Sequence, residues 1–305
     1  MIKYISLFFK GIAMGAADIV PGVSGGTIAF ITGIYEEFID SISSVNFNTI
    51  KILRKDGIKA TWNYVNGNFL LSIFTGIGVS IFSLARLISY LLENEKISLW
   101  SFFFGLVSIS IYIVGKQVVS WKLSRIIALL IGSAIAFYIT ILPPIAGANE
   151  LWYLFISGMI AICAMILPGI SGSFILLLLG SYATVIQAIK DKELLILGVF
   201  AGGCIIGLFS FSRLLKWLFS KYRDITIALL TGFLVGSLNK LWPWKEDTIL
   251  LHIHSDGSKD YLQENIMPYV LENSQISSSI IFFLLGFVLI FAIERISKIY
   301  DKSNR

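Results

Sequence analysis

The sequence predicts an all-α polytopic membrane protein built from two related halves. Hydrophobic residues make up 56% of the 305-residue chain and charged residues 14%, and the mean hydropathy is +0.82. Soluble domains carry roughly 25% charged residues, so this chain has too few charges to cover a water-exposed surface. A Pro-Gly-x-Ser-Gly motif also occurs twice, at 21–25 and 168–172. Composition therefore excludes most soluble enzymes, and the duplicated motif indicates an internal repeat.

Six apolar stretches are predicted to be membrane spans. A helix rises about 1.5 Å per residue and the hydrocarbon core is roughly 30 Å thick, so about 20 apolar residues suffice to cross it. The predicted spans are 68–93, 98–115, 123–141, 193–219, 225–241 and 277–296.

Two further apolar stretches, 2–43 and 150–189, each contain one copy of the motif and are predicted to be broken helices. Proline removes a backbone donor and glycine tolerates non-helical dihedral angles. We therefore expect each stretch to form two half-helices, joined by unwound backbone into a re-entrant hairpin. The predicted hinge residues are Pro21, Gly22, Pro168 and Gly169.

The placement of lysine and arginine predicts the orientation. If both broken stretches turn back, 16 of the 24 basic residues face one side and six face the other. Basic residues accumulate on the cytoplasmic side, so both termini are expected there. The basic residues lie between hydrophobic runs and form no single patch, which argues against a nucleic-acid partner.

The two halves align beyond the motif. Gly33 matches Gly180 at an offset of 147 residues, and the later spans match at an offset of 127, with Arg86 opposite Arg213. One membrane domain, 1–305, is therefore expected, with a first repeat at 1–141, a second at 150–296 and an outer loop at 242–276. In the predicted orientation the repeats are inverted, which is typical of secondary transporters.

The unwound segments are candidates for an anion site. Irregular backbone at membrane depth must be buried in protein or line a wet cavity. Half-helices that begin near Ser24 and Ser171 would present unpaired N–H groups and positive dipole ends, which suit phosphate. The glycines could instead serve only helix packing. The candidate phosphate ligands are Ser24, Gly25, Gly26, Thr27, Ser171, Gly172 and Ser173.

Arg86 and Arg213 lie inside predicted spans, where a charge is costly and marks a functional site. A guanidinium binds phosphate through two hydrogen bonds, so each arginine could hold a phosphate at one end of its path. The alternative is that both side chains reach to the membrane surface.

Acidic residues distinguish the halves and are candidates for ion coupling. Asp18 precedes the first motif where the second copy has Met165, and Glu36 stands opposite Ala183. Coupling to H⁺ or Na⁺ needs a titratable carboxylate near the site, although a salt bridge or a helix cap would explain these residues equally well. His252 and His254 lack further ligands in the sequence, so no metal and no cofactor are expected.

The runs 14–27, 33–36 and 163–174 resemble the motifs of the bacterial polyprenyl-phosphate transporter family, and the resemblance covers nearly the whole chain. It implies a multi-pass flippase of the bacterial cytoplasmic membrane that returns undecaprenyl phosphate from the outer to the inner leaflet. The loop 242–276 does not match the family. The family motif positions are Asp18, 21–27, Glu36, 168–173 and the segments around Arg86 and Arg213.

A secondary-active transporter, and not an enzyme, is therefore the predicted function. Two alternatives remain. An intramembrane lipid pyrophosphate phosphatase would also combine re-entrant loops with Ser, Glu and Arg, but the predicted membrane segments contain no histidine. The other alternative is a small-anion channel.

Overall fold

The computed structural model describes residues 2–20, 22–145, 147, 150–253, 259–271 and 274–303, which form a helical bundle with one short hairpin. The first half contains α1 (Ile2–Ile19), α2 (Gly25–Ile31), α3 (Tyr35–Ser43), α4 (Phe47–Tyr64), α5 (Gly67–Asn94), α6 (Lys96–Gly115) and α7 (Leu123–Ile141). The second half contains α8 (Leu151–Ile166), α9 (Gly172–Leu178), α10 (Tyr182–Asp191), α11 (Leu194–Leu241) and α12 (Ile276–Ser303).

Within the described residues, α5, α6, α7 and α11 are each long and apolar enough to cross a membrane. Two predicted spans fall in α11, where the backbone leaves helical geometry at Tyr222 (φ −134°, ψ 42°). We call residues 194–221 its first arm and residues 223–241 its second arm. The apolar stretches of α8 and α12 are shorter, at Leu151–Ile166 and Ile276–Ala292. The prediction of a largely helical, multi-pass membrane protein is confirmed, whereas the predicted span 277–296 is matched only by the shorter apolar stretch of α12.

Each predicted broken stretch forms three helices where two were expected. The first motif separates α1 from α2, and the second separates α8 from α9. A further break follows each seven-residue helix, because Gly33 (φ +73°) and Gly180 (φ +63°) adopt left-handed backbone geometry. The axes of α9 and α10 meet at 107°. We call residues 2–43 the first broken segment and residues 151–191 the second.

Glycines allow close helix crossings inside each half. A Cβ atom on any of these glycines would overlap the carbonyl oxygen of the facing residue, so the helices approach to backbone contact. The pairs are Gly11 with Ile73 and Gly76 with Phe8 between α1 and α5, and Gly158 with Phe200 and Gly203 with Phe155 between α8 and the first arm of α11. Both crossings involve residues separated by the same two offsets that align the sequence.

Helices of the two halves also pack against each other. Gly105 of α6 faces the Phe283 carbonyl of α12, and Gly232 in the second arm of α11 faces the Leu129 carbonyl of α7. Along their lengths α6 packs on α12 and α7 packs on α11. The bundle is therefore held together by paired contacts that each join one half to the other.

The loop 242–276 contains a β-hairpin that the sequence did not indicate. Strands β1 (Lys245–Ile253) and β2 (Lys259–Asn265) pair antiparallel, with Lys245 opposite Asn265. Trp242 lies beside the hairpin and donates its indole N–H to the Ile266 carbonyl at 2.9 Å. These contacts hold the loop against the end of α11.

Candidate functional site

The two broken segments meet in the interior and are hydrogen-bonded to each other. The Ser24 hydroxyl donates to the Met165 carbonyl at 2.8 Å, and the Gly169 amide donates to the Thr27 hydroxyl oxygen at 2.9 Å. Ser24 and Thr27 are fully buried. A Cβ on Gly26 would overlap the carbonyl oxygen of Ile166, so the segments touch backbone to backbone. The structure therefore brings the two sequence motifs together, as an anion site between them requires.

Glycine is needed at the second position of each motif. Gly22 has φ +92° and Gly169 has φ +85°, in the left-handed region that L side chains rarely adopt. Ser24 and Ser171 follow as the N-caps of α2 and α9. The predicted hinge at Pro168 is buried, whereas Pro21 lies outside the described residues.

Protein groups already occupy the first motif. Asp18 accepts a hydrogen bond from the Gly25 amide at 2.7 Å, and the Ser24 hydroxyl oxygen accepts one from the Gly26 amide at 3.0 Å. A Cβ on Gly25 would lie only 2.5 Å from Oδ2 of Asp18, so glycine allows the carboxylate to approach. Asp18 therefore caps α2, which is one of the two alternatives that the sequence left open.

The second motif is less occupied. The hydroxyl groups of Ser171 and Ser173 lie 2.9 Å apart, and the Phe174 amide reaches the Ser171 hydroxyl only at 3.5 Å. Among the described residues, the amides of Gly172 and Ser173 make no such capping bond. These amides belong to the first turn of α9, where an anion would accept their hydrogen bonds.

The two arginines lie away from the motifs. Arg213 is exposed and donates to the Val45 carbonyl at 3.3 Å. It lines a cavity of about 800 Å³ together with Asp40, Ser44 and Lys216. Arg86 is exposed on α5. The structure therefore does not place either guanidinium in contact with the broken backbone.

Acidic residues of α3 form ion pairs with basic residues of α11. Glu36 accepts hydrogen bonds from Arg223 at 2.8 and 3.1 Å, and Asp40 pairs with Lys216 at 3.1 Å. The ring of Phe219 packs against Tyr35 beside these pairs, with ring centroids 5.8 Å apart. We call this set the α3–α11 contact. Glu36 thus has the salt bridge that was the second alternative at sequence level.

Sequence reasoning missed Lys240, which was counted only among the six basic residues on the side opposite the termini. It lies in the last turn of α11, with its ammonium nitrogen 4.5 Å from the centroid of the Phe174 ring. A Cβ on Gly22 would lie 2.9 Å from Cγ of Lys240. The only available signal was its position directly after the apolar run of α11. Ile113 stands at the equivalent position of the first half.

No metal site was predicted. Among the described residues, no group of three or more His, Cys, Asp or Glu side chains could hold a metal ion. His254 lies outside the described residues. The site is thus built from backbone amides, hydroxyl groups, one carboxylate and one ammonium.

Comparison with known proteins agrees with the family resemblance of the motifs. Residues 14–259 match the family described as undecaprenyl phosphate translocase-like. A Vibrio cholerae protein named polyprenyl-phosphate transporter is 46% identical over 300 residues, which cover 96% of this chain and 97% of that protein. A Staphylococcus aureus protein of the same name is 32% identical over 267 residues, covering 82% of this chain and 89% of that protein. No solved structure gives a significant match.

Proposed function

The chain belongs to the undecaprenyl phosphate translocase-like family, and we propose that it carries undecaprenyl phosphate across the bacterial cytoplasmic membrane by alternating access. The direction is from the outer to the inner leaflet, so that the lipid carrier can be reused in cell-envelope synthesis. The observation that carries this proposal is the direct hydrogen bonding between the two broken segments, through Ser24 and Thr27. Discontinuous helices that meet inside a bundle form the binding sites of secondary transporters.

The two halves are proposed to be inverted repeats, with both broken segments re-entrant and both termini cytoplasmic. The matching glycine crossings of α1 with α5 and of α8 with α11 support two equivalent units. The excess of basic residues on one predicted side supports the orientation. Exchange of conformation between two such units would open the site first to one leaflet and then to the other.

The phosphate is proposed to bind where the broken segments meet, while the polyprenyl chain stays in lipid. In this structure the second motif offers the unbonded amides of Gly172 and Ser173 beside the hydroxyl of Ser171. The first motif, Ser24 to Thr27, is engaged by the protein's own groups. We expect the first motif to contribute donors only after Asp18 leaves the amide of Gly25.

Asp18 is the proposed coupling residue. Protonation by H⁺ or binding of Na⁺ would neutralise its carboxylate and weaken the bond to the Gly25 amide, which would free a donor at the first motif. Glu36 is the second candidate, and because it pairs with Arg223 we expect it to take part only when the α3–α11 contact opens.

Arg86 and Arg213 are proposed to hold the phosphate before and after it passes the motifs. In the predicted orientation Arg86 lies nearer the outer face and Arg213 nearer the cytoplasm. The cavity beside Arg213 is large enough for a phosphate head group. An exposed guanidinium with a single bond, at 3.3 Å, has donors left for such a ligand.

A leaflet-resolved transport assay in proteoliposomes tests the function. We expect Arg86→Ala and Arg213→Ala each to lower the rate of polyprenyl phosphate transfer about tenfold or more, since hydrogen bonds to charged groups are worth about 1.5–3 kcal/mol. Arg54→Ala is the matched control, because Arg54 is exposed on α4 and has no proposed role. The assay is run with and without pH and Na⁺ gradients to detect coupling.

Different outcomes of this assay would contradict the role of the arginines or the transport function itself. Wild-type rates in both arginine variants would remove the arginines from the path, and failure of the wild-type protein to move the lipid would refute the function. Release of inorganic phosphate from undecaprenyl pyrophosphate would identify a lipid phosphatase. Phosphate or chloride flux in liposomes without polyprenyl lipid would identify a channel.

A further inference from the structure

Lys240 lies between the two broken segments, and we propose that its ammonium group binds the phosphate of the transported lipid. This assignment rests on the proposed function and adds a ligand to it. The stem of Lys240 packs against Gly22 of the first broken segment, and its ammonium lies 4.5 Å from the Phe174 ring centroid of the second.

Among the described residues, the charge of Lys240 has no anionic partner. Within that part of the chain Lys240 makes no ion pair and its ammonium donates no hydrogen bond. The ammonium instead lies over the face of the Phe174 ring. An aromatic face stabilises an ammonium less than a carboxylate or phosphate does when water is excluded. The side chain is half-buried, which makes an unpaired charge unfavourable. A phosphate monoester supplies the missing negative charge.

Asp18 does not neutralise Lys240. Among the described residues the two side chains form no ion pair, and the Asp18 carboxylate accepts the Gly25 amide at 2.7 Å. The acidic residues of α3 are likewise paired: Glu36 with Arg223, Glu37 with Lys3 and Asp40 with Lys216. The positive charge beside the motifs therefore remains available for a ligand.

The β-hairpin fixes the backbone that carries Lys240. The ammonium of Lys245 donates to the Lys240 carbonyl and lies 4.0 Å from the centroid of the buried Trp100 ring. Asn265 donates to the carbonyl of the preceding residue, Asn239, at 2.8 Å. The last turn of α11 is thus held at its open carbonyl end, so the lysine stem starts from a fixed position.

The absence of a side chain at Gly22 makes room for the lysine. A Cβ there would lie 2.9 Å from Cγ of Lys240, and the residue also has φ +92°. Only glycine meets both conditions without strain. The first motif therefore accommodates the side chain that reaches across it toward α9.

Binding measurements on the purified full-length chain test this assignment. The probe is a short-chain polyprenyl phosphate, compared with the polyprenyl alcohol of equal length, and the readout is the ligand-induced shift of the thermal midpoint with titrated affinity. Lys240→Gln should weaken phosphate binding about tenfold or more and leave alcohol binding unchanged. Lys240→Arg, which keeps the charge, should bind within a few-fold of wild type.

Lys221→Gln is the matched control, because Lys221 lies on the same helix with its ammonium 5.5 Å from the centroid of the Tyr222 ring but is exposed. It should bind the phosphate as the wild-type protein does. If Lys240→Gln does not yield folded protein, Lys240→Met keeps the stem packing and removes only the charge. Wild-type phosphate affinity in whichever variant folds would overturn the role of Lys240, whereas no phosphate binding by the wild-type chain would instead refute the proposed function.

Discussion

The two broken segments have the same backbone turn but carry different charges. Both turn at a glycine with positive φ, Gly22 and Gly169, and both then start a seven-residue helix at a serine cap. In the first segment the carboxylate of Asp18 accepts the amide at the start of α2. The second segment has Met165 at that position, and a thioether cannot replace the carboxylate.

The last helices of the two segments, α3 and α10, also differ in charge. On α3, Glu36 and Asp40 pair with Arg223 and Lys216, whereas α10 has Ala183 and Gln187 at the equivalent positions. α3 packs along α11, and α10 makes no comparable packing contact with α5. The contact of α3 with α11 is therefore supported by ion pairs, whereas α10 has uncharged residues at the equivalent positions.

The charged residues that differ between the two motifs change how the backbone amides of each motif are bonded. The first motif is satisfied by protein groups, whereas the amides of Gly172 and Ser173 in the second have no acceptor among the described residues. Both motifs thus turn at a positive-φ glycine, yet their amides are bonded differently in this structure. An ion that neutralises Asp18 would make the first motif resemble the second, which gives the comparison a direct test.

The largest effect is expected from Asp18→Asn. The amide oxygen of asparagine can still accept the Gly25 N–H, so the fold should persist, but the side chain no longer carries a titratable charge. We expect the acceleration of transport by a pH or Na⁺ gradient to be lost, with a rate decrease of about tenfold or more. Proteoliposome transport with imposed gradients measures it.

Met165→Ala is the control at the equivalent position of the second segment, and it should retain the response to the gradient. Asp18→Ala separates capping from coupling, because it also leaves the Gly25 amide without its acceptor. That loss should lower the free energy of unfolding by about 1–3 kcal/mol. A gradient response that survives in Asp18→Asn would assign Asp18 to capping alone.

An intermediate effect is expected when the two cap serines are compared. Ser24→Ala removes the acceptor of the Gly26 amide and the donor to the Met165 carbonyl, both buried, and should destabilise the protein by about 1–3 kcal/mol. Ser171→Ala removes a 3.5 Å cap and a bond to Ser173, and should cost less than about 1 kcal/mol. Thermal denaturation in one detergent compares them, and equal losses would show that the motifs are equivalent.

The sequence predicted the parts of the fold that depend on hydrophobic length and on backbone chemistry. Long apolar runs gave the spans, and the glycines at 22 and 169 gave the breaks, because few residues tolerate that geometry. The further breaks at Gly33 and Gly180 were not predicted, since an isolated glycine is also common inside packed membrane helices. The hairpin was missed because its strands lack regular alternation of polar and apolar residues.

The candidate site was predicted only as far as its backbone. Ser24 and Ser171 were assigned correctly to the helix starts. The bonds that join the motifs, from the Ser24 hydroxyl to the Met165 carbonyl and from the Gly169 amide to the Thr27 hydroxyl oxygen, depend on how the halves dock. Lys240 was missed for the same reason. Its sequence neighbours describe the end of a span, and only tertiary packing brings its side chain to Gly22.

The smallest effect on stability is expected at the α3–α11 contact. Glu36→Gln and Asp40→Asn each remove a half-exposed ion pair, so each should change the free energy of unfolding by less than about 1 kcal/mol. The contact should nevertheless open more often, because the ion pairs that join α3 to α11 are lost. Alkylation of a cysteine introduced by Ser44→Cys, at a position that lines the cavity beside Arg213, should then be faster in the double variant.

High salt should accelerate alkylation of the otherwise unchanged protein by screening the same pairs, while Gln187→Ala on α10 should have no effect. An alkylation rate that is insensitive to both the charges and the salt would mean that Phe219 and its aromatic neighbours alone hold α3, and that the acidic residues of the first segment do not distinguish the halves.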